Sequence, residues 1–197
     1  MVGAIDEITD TSYAVLNRMG LYKQKPVLNM ELFQSNPEAI GSRGTIAGEG
    51  AGFFLLANEP SATDYAKLDG LSVFYKPGSK KEIEEHILSF LSTHSITPND
   101  IDLVITGKNG DPRPDEIFDL VKKNIFNKND SVNYKHLCGE YPTSTAFAVW
   151  VAANIIRSGS VPPALEYTGS KEKKIRRVLI YNHYLDIHHS LILVSSC

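Results

Sequence analysis

From Thr143 to Arg157 the chain is apolar at almost every position from Ala146 to Ile156, Asn154 excepted. A helix that is apolar on all sides has no face to give to water, so this one must be packed on both sides. Ser158-Gly159 ends it, and Pro162-Pro163 forbids its continuation. A helix covered on two faces calls for a layer above it and a layer below it, which constrains the fold more than any other feature here.

The surrounding elements fit layers. Met1 to Ile5 reads as a strand, and Thr9 to Met19 as a helix or an ordered loop. The short aromatic run Phe53 to Ala57 suits a strand buried on both faces. Asn58 to Ala62 breaks it. Leu71 to Tyr75 reads as a strand ended by Lys76-Pro77-Gly78-Ser79. Ser79 is placed to cap a helix over Lys80 to Thr93, with Ile83, Ile87, Leu88 and Leu91 inward. Ile101 to Thr106 is a strand and Gly107 to Pro114 a polar loop. Asp115 to Phe126 is a helix with Ile117, Leu120, Val121 and Ile125 on one face. Arg177 to Tyr184 and Ser190 to Ser195 are closing strands. The order β, β, β, α, β, α, α, β, β predicts an α/β layered fold, a mainly parallel sheet with flanking helices and an antiparallel tail.

Composition narrows the function. The 197 residues carry a net charge of -3, which argues against the basic face of a nucleic-acid binder. The basic run Lys171 to Arg177, broken by Glu172 and Ile175, reads as a solvated loop entering a strand. No apolar run reaches the length of a membrane span, about 18 to 20 residues. The acidic start MVGAIDEITD does not suit a signal peptide. Cys138 and Cys197 lack the C-x-x-C spacing of a zinc site and suggest no disulfide framework, which fits a cytoplasmic setting. Cys138 reads as a small buried residue. His183, His188 and His189 beside Asp186 form only a weak metal pattern, so packing or surface roles are expected and no metal or other cofactor is assigned.

Five segments, in order, resemble the β-ketoacyl synthases of the thiolase-like superfamily. They are Val2-Gly3-Ala4-Ile5-Asp6-Glu7, Arg43 to Phe53 with its Gly48-Glu49-Gly50-Ala51-Gly52 core, Lys135 to Ala146, Ser160-Val161-Pro162-Pro163, and the last two strands. The resemblance implies a partial thiolase-like fold, with 1–62 a remnant of the N-terminal half and 63–197 the C-terminal half. It also implies that the family's nucleophilic cysteine lies upstream of Met1.

The family condenses acyl groups with a cysteine and two histidines. On the resemblance, the first histidine position holds Gly107 and the second Glu140, while the family's lysine is retained as Lys135. Glycine has no imidazole, and an ionised Glu140 would repel a malonyl carboxylate. Lys135 is expected to pair with Glu140 or with Glu49. Glu49, Gly50, Gly139 and Asn182 are the structural and pocket positions, and the family's glycine-rich turn near Asn182 is replaced by Asn182 to Ser190. No catalytic residue is therefore intact.

The resemblance implies a non-catalytic, chain-length-factor-like subunit of fatty-acid or polyketide-type biosynthesis, or a truncated synthase. Acyl carrier protein and an intact ketosynthase subunit are the expected partners, in a homo- or hetero-dimer. Two alternatives stand beside it. One is the C-terminal part of an active 3-oxoacyl-[acyl-carrier-protein] synthase whose nucleophile half is on another chain or upstream. The other is an unrelated small α/β binding protein. Exposed apolar surface and self-association are expected of an isolated half.

Overall fold

The computed structural model describes residues 1–24, 43–167, 169 and 174–197. Strand β1 (Val2–Asp6) pairs antiparallel with β2 (Gly50–Phe54) in a two-stranded sheet. Between them lies α1 (Asp10–Arg18), a helix where the sequence left helix or loop open. Thr9 decides it. Its side chain accepts from the Ser12 backbone N–H, and Ser12 bonds back to the Thr9 N–H, a reciprocal cap.

The main sheet has five strands in the order β3 (Lys67–Tyr75), β7 (His188–Ser195), β6 (Arg177–Tyr184), β4 (Leu103–Thr106) and β5 (Asp130–Asn133). It is mixed. Pairings β6–β4 and β4–β5 are parallel, and β3–β7 and β6–β7 are antiparallel, so the parallel share is half of the sheet rather than most of it. Successive strand residues point to opposite faces. Val104, Leu179, Tyr181, Leu191 and Leu193 therefore pack against α2 (Lys80–Thr93) and α3 (Pro112–Asn124). Leu103, Ile105, Val178, Ile180 and Ile192 face the other way and meet Ala148, Val151, Ala152 and Ile155 of the long apolar helix. A one-turn helix, α4 (Lys135–Cys138), precedes that helix, α5 (Thr145–Ser158). On its far side α5 meets the small sheet so closely that a Cβ on Gly52 would stand 2.8 Å from the Ala146 Cβ. The apolar helix is thus sandwiched as expected, apart from Trp150, which is exposed.

Several expectations need correction. The run Phe53 to Ala57 is not buried on both faces. Strand β2 is Gly50–Phe54 and has β1 as its partner, and Phe53, Leu55 and Leu56 are exposed. Leu71, Val73 and Tyr75 on the edge strand β3 are exposed in the same way, matching the apolar surface anticipated. In α2, Leu88 is exposed and Phe90 takes its place in the core. Helix α3 starts at Pro112 rather than Asp115, because Asp111 caps it and Pro112 has no N–H to lose at the first helical position. Phe118 is buried there, and Leu120 is not in the core. Strand β5 went unforeseen, and β7 begins at His188, not Ser190. Of the basic run, residues 171–173 lie outside the described residues. Arg176 is exposed, and its N–H and that of Arg177 are held by Asp102.

The Ser79 cap is as read: its hydroxyl accepts from the Glu82 N–H at 3.2 Å. Ser79→Ala is expected to cost about 1 kcal/mol and to lower the melting temperature by about 2–4 °C. A calorimetric melt measures this, and an unchanged midpoint would show the cap to be idle.

Candidate functional site

Helix α4 ends at Gly139, which has φ 75°. A side chain there would be strained, and it would also collide with the neighbouring loop. An added Cβ would lie 2.6 Å from the Gly48 Cα, and a Cβ on Gly48 would lie 2.1 Å from the Cys138 carbonyl oxygen. The two glycines let the 46–48 loop and the 138–140 turn touch backbone to backbone. Across that contact the Glu140 N–H donates to the Ile46 carbonyl at 2.8 Å, and the Gly48 N–H donates to the Glu140 carbonyl at 3.0 Å.

With its backbone fixed on both sides, Glu140 turns its carboxylate inward. Lys135 Nζ donates to Glu140 Oε2 at 2.6 Å, and the Lys135 and Glu140 side chains are only 1% and 8% exposed. This resolves the choice the sequence left between Glu140 and Glu49. Glu49 is exposed, and its Oε2 accepts from the Ile8 N–H at 2.9 Å. Gly50 lies beneath Tyr141, whose hydroxyl would be 2.8 Å from an added Cβ.

A further residue completes the cluster. Asn109 Nδ2 donates to the same Glu140 Oε2 at 2.7 Å. Asp115 holds the Asn109 loop, accepting from the Asn109 and Gly110 N–H groups at 3.0 and 2.9 Å. Burial pushes the Asp115 carboxyl upward, and those two N–H groups pull it back. Asn109 was missed in the sequence. The only signal was its place in the polar loop, and no local pattern points that loop at Glu140.

Gly107 and Asn182 also come together. A Cβ on Gly107 would stand 1.9 Å from Asn182 Oδ1. The space a histidine would need at position 107 is therefore occupied by the Asn182 amide. Its Nδ2 donates to Thr145 Oγ1 at 2.8 Å, while its buried Oδ1 has no hydrogen-bond partner among the described residues.

The remaining candidates are structural. Cys138 is half-buried rather than buried, at the edge of the core under α5; desolvation raises its thiol to about 11, so little thiolate exists near neutral pH. Cys197 is exposed. His183 and His189 are buried in the sheet's aromatic layer, stacked on Phe118 and Phe74 respectively. His188 is exposed on the other face of the same strand, and Asp186 lies in the turn before it.

Glu140 lines a cavity of about 500 Å³. Its walls come from α1, the loop before β2, the Asn109 loop and the β6–β7 turn, so segments far apart in sequence close around the Lys135 pair.

No protein-family model matches the sequence, and no curated protein matches it either. Solved structures do match. The ishigamide ketosynthase/chain length factor superposes with a TM-score of 0.74 over 99% of this chain and 53% of its own, at 14% identity. This chain has the ketosynthase fold. A type II polyketide synthase acyl-carrier protein in complex with its ketosynthase bound to the hexaketide matches with a TM-score of 0.74 at 13% identity, over 98% of this chain and 55% of that one. A β-ketoacyl synthase from Burkholderia phymatum STM815 matches with a TM-score of 0.68 at 13% identity, over 100% and 54%. At such identities the likeness establishes the ketosynthase, thiolase-like fold alone. The chain spans about half the length of these structures. No helix among the described residues is long and apolar enough to cross a membrane.

Proposed function

We propose that this chain is a ketosynthase-fold protein of fatty-acid or polyketide-type assembly that carries out no condensation by itself and acts as a subunit beside an active synthase. One observation carries the reading. The carboxylate at the second histidine position of the resemblance is locked in a buried ion pair with Lys135. Condensation needs donors that steady an enolate as the malonyl carboxylate leaves. A glutamate carboxylate at that place, with its Oε2 taken by Lys135 and Asn109, supplies no imidazole donor and sets a carboxylate against a carboxylate. The Asn182 amide over Gly107 supports the same reading, because it fills the other histidine's place.

The reading takes 1–62 as the remnant of an N-terminal half and 63–197 as the C-terminal half. The separation of the β1–β2 sheet from the five-stranded sheet supports that division. It makes acyl carrier protein and an intact ketosynthase the partners, in the cytoplasm, through a homo- or hetero-dimer contact. Exposed Phe53, Leu55, Leu71, Val73 and Tyr75 are the apolar surface such a contact would use.

The purified chain, given malonyl-carrier protein and an acyl donor, is expected to release no carbon dioxide and to form no ketoacyl product above the uncatalysed rate. Mixed with an intact ketosynthase and its carrier, it is expected to co-elute with them. Turnover by the isolated chain would overturn the reading.

A further inference from the structure

Strand β3 is an edge of the five-stranded sheet. On one side it pairs with β7, and no strand among the described residues pairs with the other. One hydrogen bond tells which backbone groups face that free edge. The Lys76 N–H donates to the Ile187 carbonyl at 2.6 Å, and the register sets Tyr75 against His188 and Val73 against Ser190. Backbone groups in an antiparallel strand turn to alternate sides. Those of Ser72, Phe74 and Lys76 therefore turn to β7, and those of Leu71, Val73 and Tyr75 turn to the free edge.

The same three residues carry the exposed side chains, at 63%, 72% and 66%. Native edges are usually blunted by charge, proline or a bulge. From Gly70 to Tyr75 the strand has neither charge nor proline. The devices stand at its two ends instead. A bulge shifts the register between Leu68 and Gly70, and Lys76 turns left-handed, with φ 48°, ahead of Pro77. Between them the run 70–76 is open to pairing, and its midpoint is Val73.

Laid antiparallel on itself about that midpoint, the run is self-complementary. Leu71 meets the other copy's Tyr75, and Val73 meets Val73, so every pair on the exposed face is apolar. Ser72 meets Phe74 on the opposite face. Each Lys76 falls opposite the other copy's Gly70 and beside its Asp69, an acid that Lys67 also holds at 2.8 Å. Cation thus meets acid at both ends, and no like charges oppose each other within the run. A contact that repeats itself about a two-fold axis closes as a dimer.

We infer that β3 is the edge to which a second copy of this chain adds, β3 against β3, antiparallel about Val73, joining the two main sheets into one. The inference deepens the proposed function and rests on it for the dimer contact, to which it assigns one edge and one partner. A single pair of strands is a small contact beside the roughly 800 Å² per partner of a standard interface, so the dimer is a weak one, with a Kd on the order of 10 µM.

Sedimentation of the full chain from about 1 to 200 µM is expected to show monomer passing to dimer. Val73→Lys and Val73→Glu are each expected to weaken the dimer at least about tenfold, because each side chain meets its own copy across the axis. Mixed in equal amounts they are expected to associate again, since lysine then meets glutamate. Val73→Pro removes an N–H that faces the free edge and leaves the bonds to β7 in place, so it is expected to weaken the dimer to the same extent. Proline keeps the position apolar, which separates strand pairing from docking of the bare face. If Val73→Pro fails to fold, the charged pair decides the matter, since their side chains start from an exposed position. A monomer across the whole range, a dimer that no foldable Val73 variant weakens, or a mixture no tighter than its separate variants would overturn the inference. A chain that dimerises through β3 and also condenses malonyl-carrier refutes the functional reading alone. A monomeric chain that condenses nothing refutes this inference alone.

Discussion

Glu140→Ala is expected to destabilise the protein by about 3–5 kcal/mol, because it leaves the Lys135 ammonium buried without a counter-charge. Lys135 is 3% exposed, and its bond to Glu140 Oε2 is 2.6 Å long. Asn109 Nδ2 loses its acceptor in the same step. At this chain length the loss corresponds to a fall in melting temperature of about 10 °C. The magnitude reflects stranding one charge and does not measure the net contribution of the pair. Exchanging both members for apolar side chains, Lys135→Met with Glu140→Leu, is therefore expected to recover most of the loss. Denaturant titrations of the wild type, both single variants and the double variant close the cycle. A single-variant loss below about 1 kcal/mol would place the pair among solvent-screened contacts and remove the main support for a locked Glu140.

The same segment shows how far a sequence can be read. Gly139, and Gly48 in the loop it meets, stood out in the sequence only as motif glycines, and the contact of their bare backbones is a product of the fold. Helix α5 was legible, because an unbroken apolar run leaves few places for a helix to go. Strand β5 was not. Val132 is its one buried residue, and Asp130 and Asn133 are poor strand formers, so its pairing with β4 comes from position in the sheet and not from local preference. Phe53 to Ala57 misled for the opposite reason. An apolar run records what a segment tolerates, and only the fold shows whether anything covers it. The pairing of Lys135 with Glu140 was one of two options in the sequence. The choice depended on where the Glu49 loop runs, which is tertiary information. The cavity was not legible at all, since its walls come from segments separated by most of the chain.

Stability is expected to fall steeply as pH drops below about 6.5, and His183 is the main cause. Burial, with help from His189 and then Lys135, lowers the His183 imidazole to about 3, from an ordinary value of 6.5. Burial likewise lowers His189, to about 4. In both cases the folded state resists a proton that the unfolded chain accepts. Above 6.5 both states hold neutral histidine and stability is at its full value. Between 6.5 and the folded values the unfolded chain binds more protons, so stability is lost as pH falls, at up to about 1.4 kcal/mol per pH unit for each histidine. His189 contributes less than this limit, since Asp186 Oδ1 lies 3.5 Å from its Nε2 and meets the charge when it forms. Asp115 acts in the opposite sense, because its raised carboxyl favours the folded state once protonated. For His183 alone the loss by pH 4.5 is about 2–3 kcal/mol. Its ring stacks on Phe118 at 4.3 Å and has no partner at Nε2 among the described residues, so a phenyl ring can take its place without breaking a bond at that atom. Denaturant titrations from pH 7.5 to 4.5 should therefore show His183→Phe with a shallower acid slope, reduced by nearly one proton. A slope identical to that of the wild type would mean that His183 charges in the folded protein, and that the aromatic layer opens to water long before the chain unfolds.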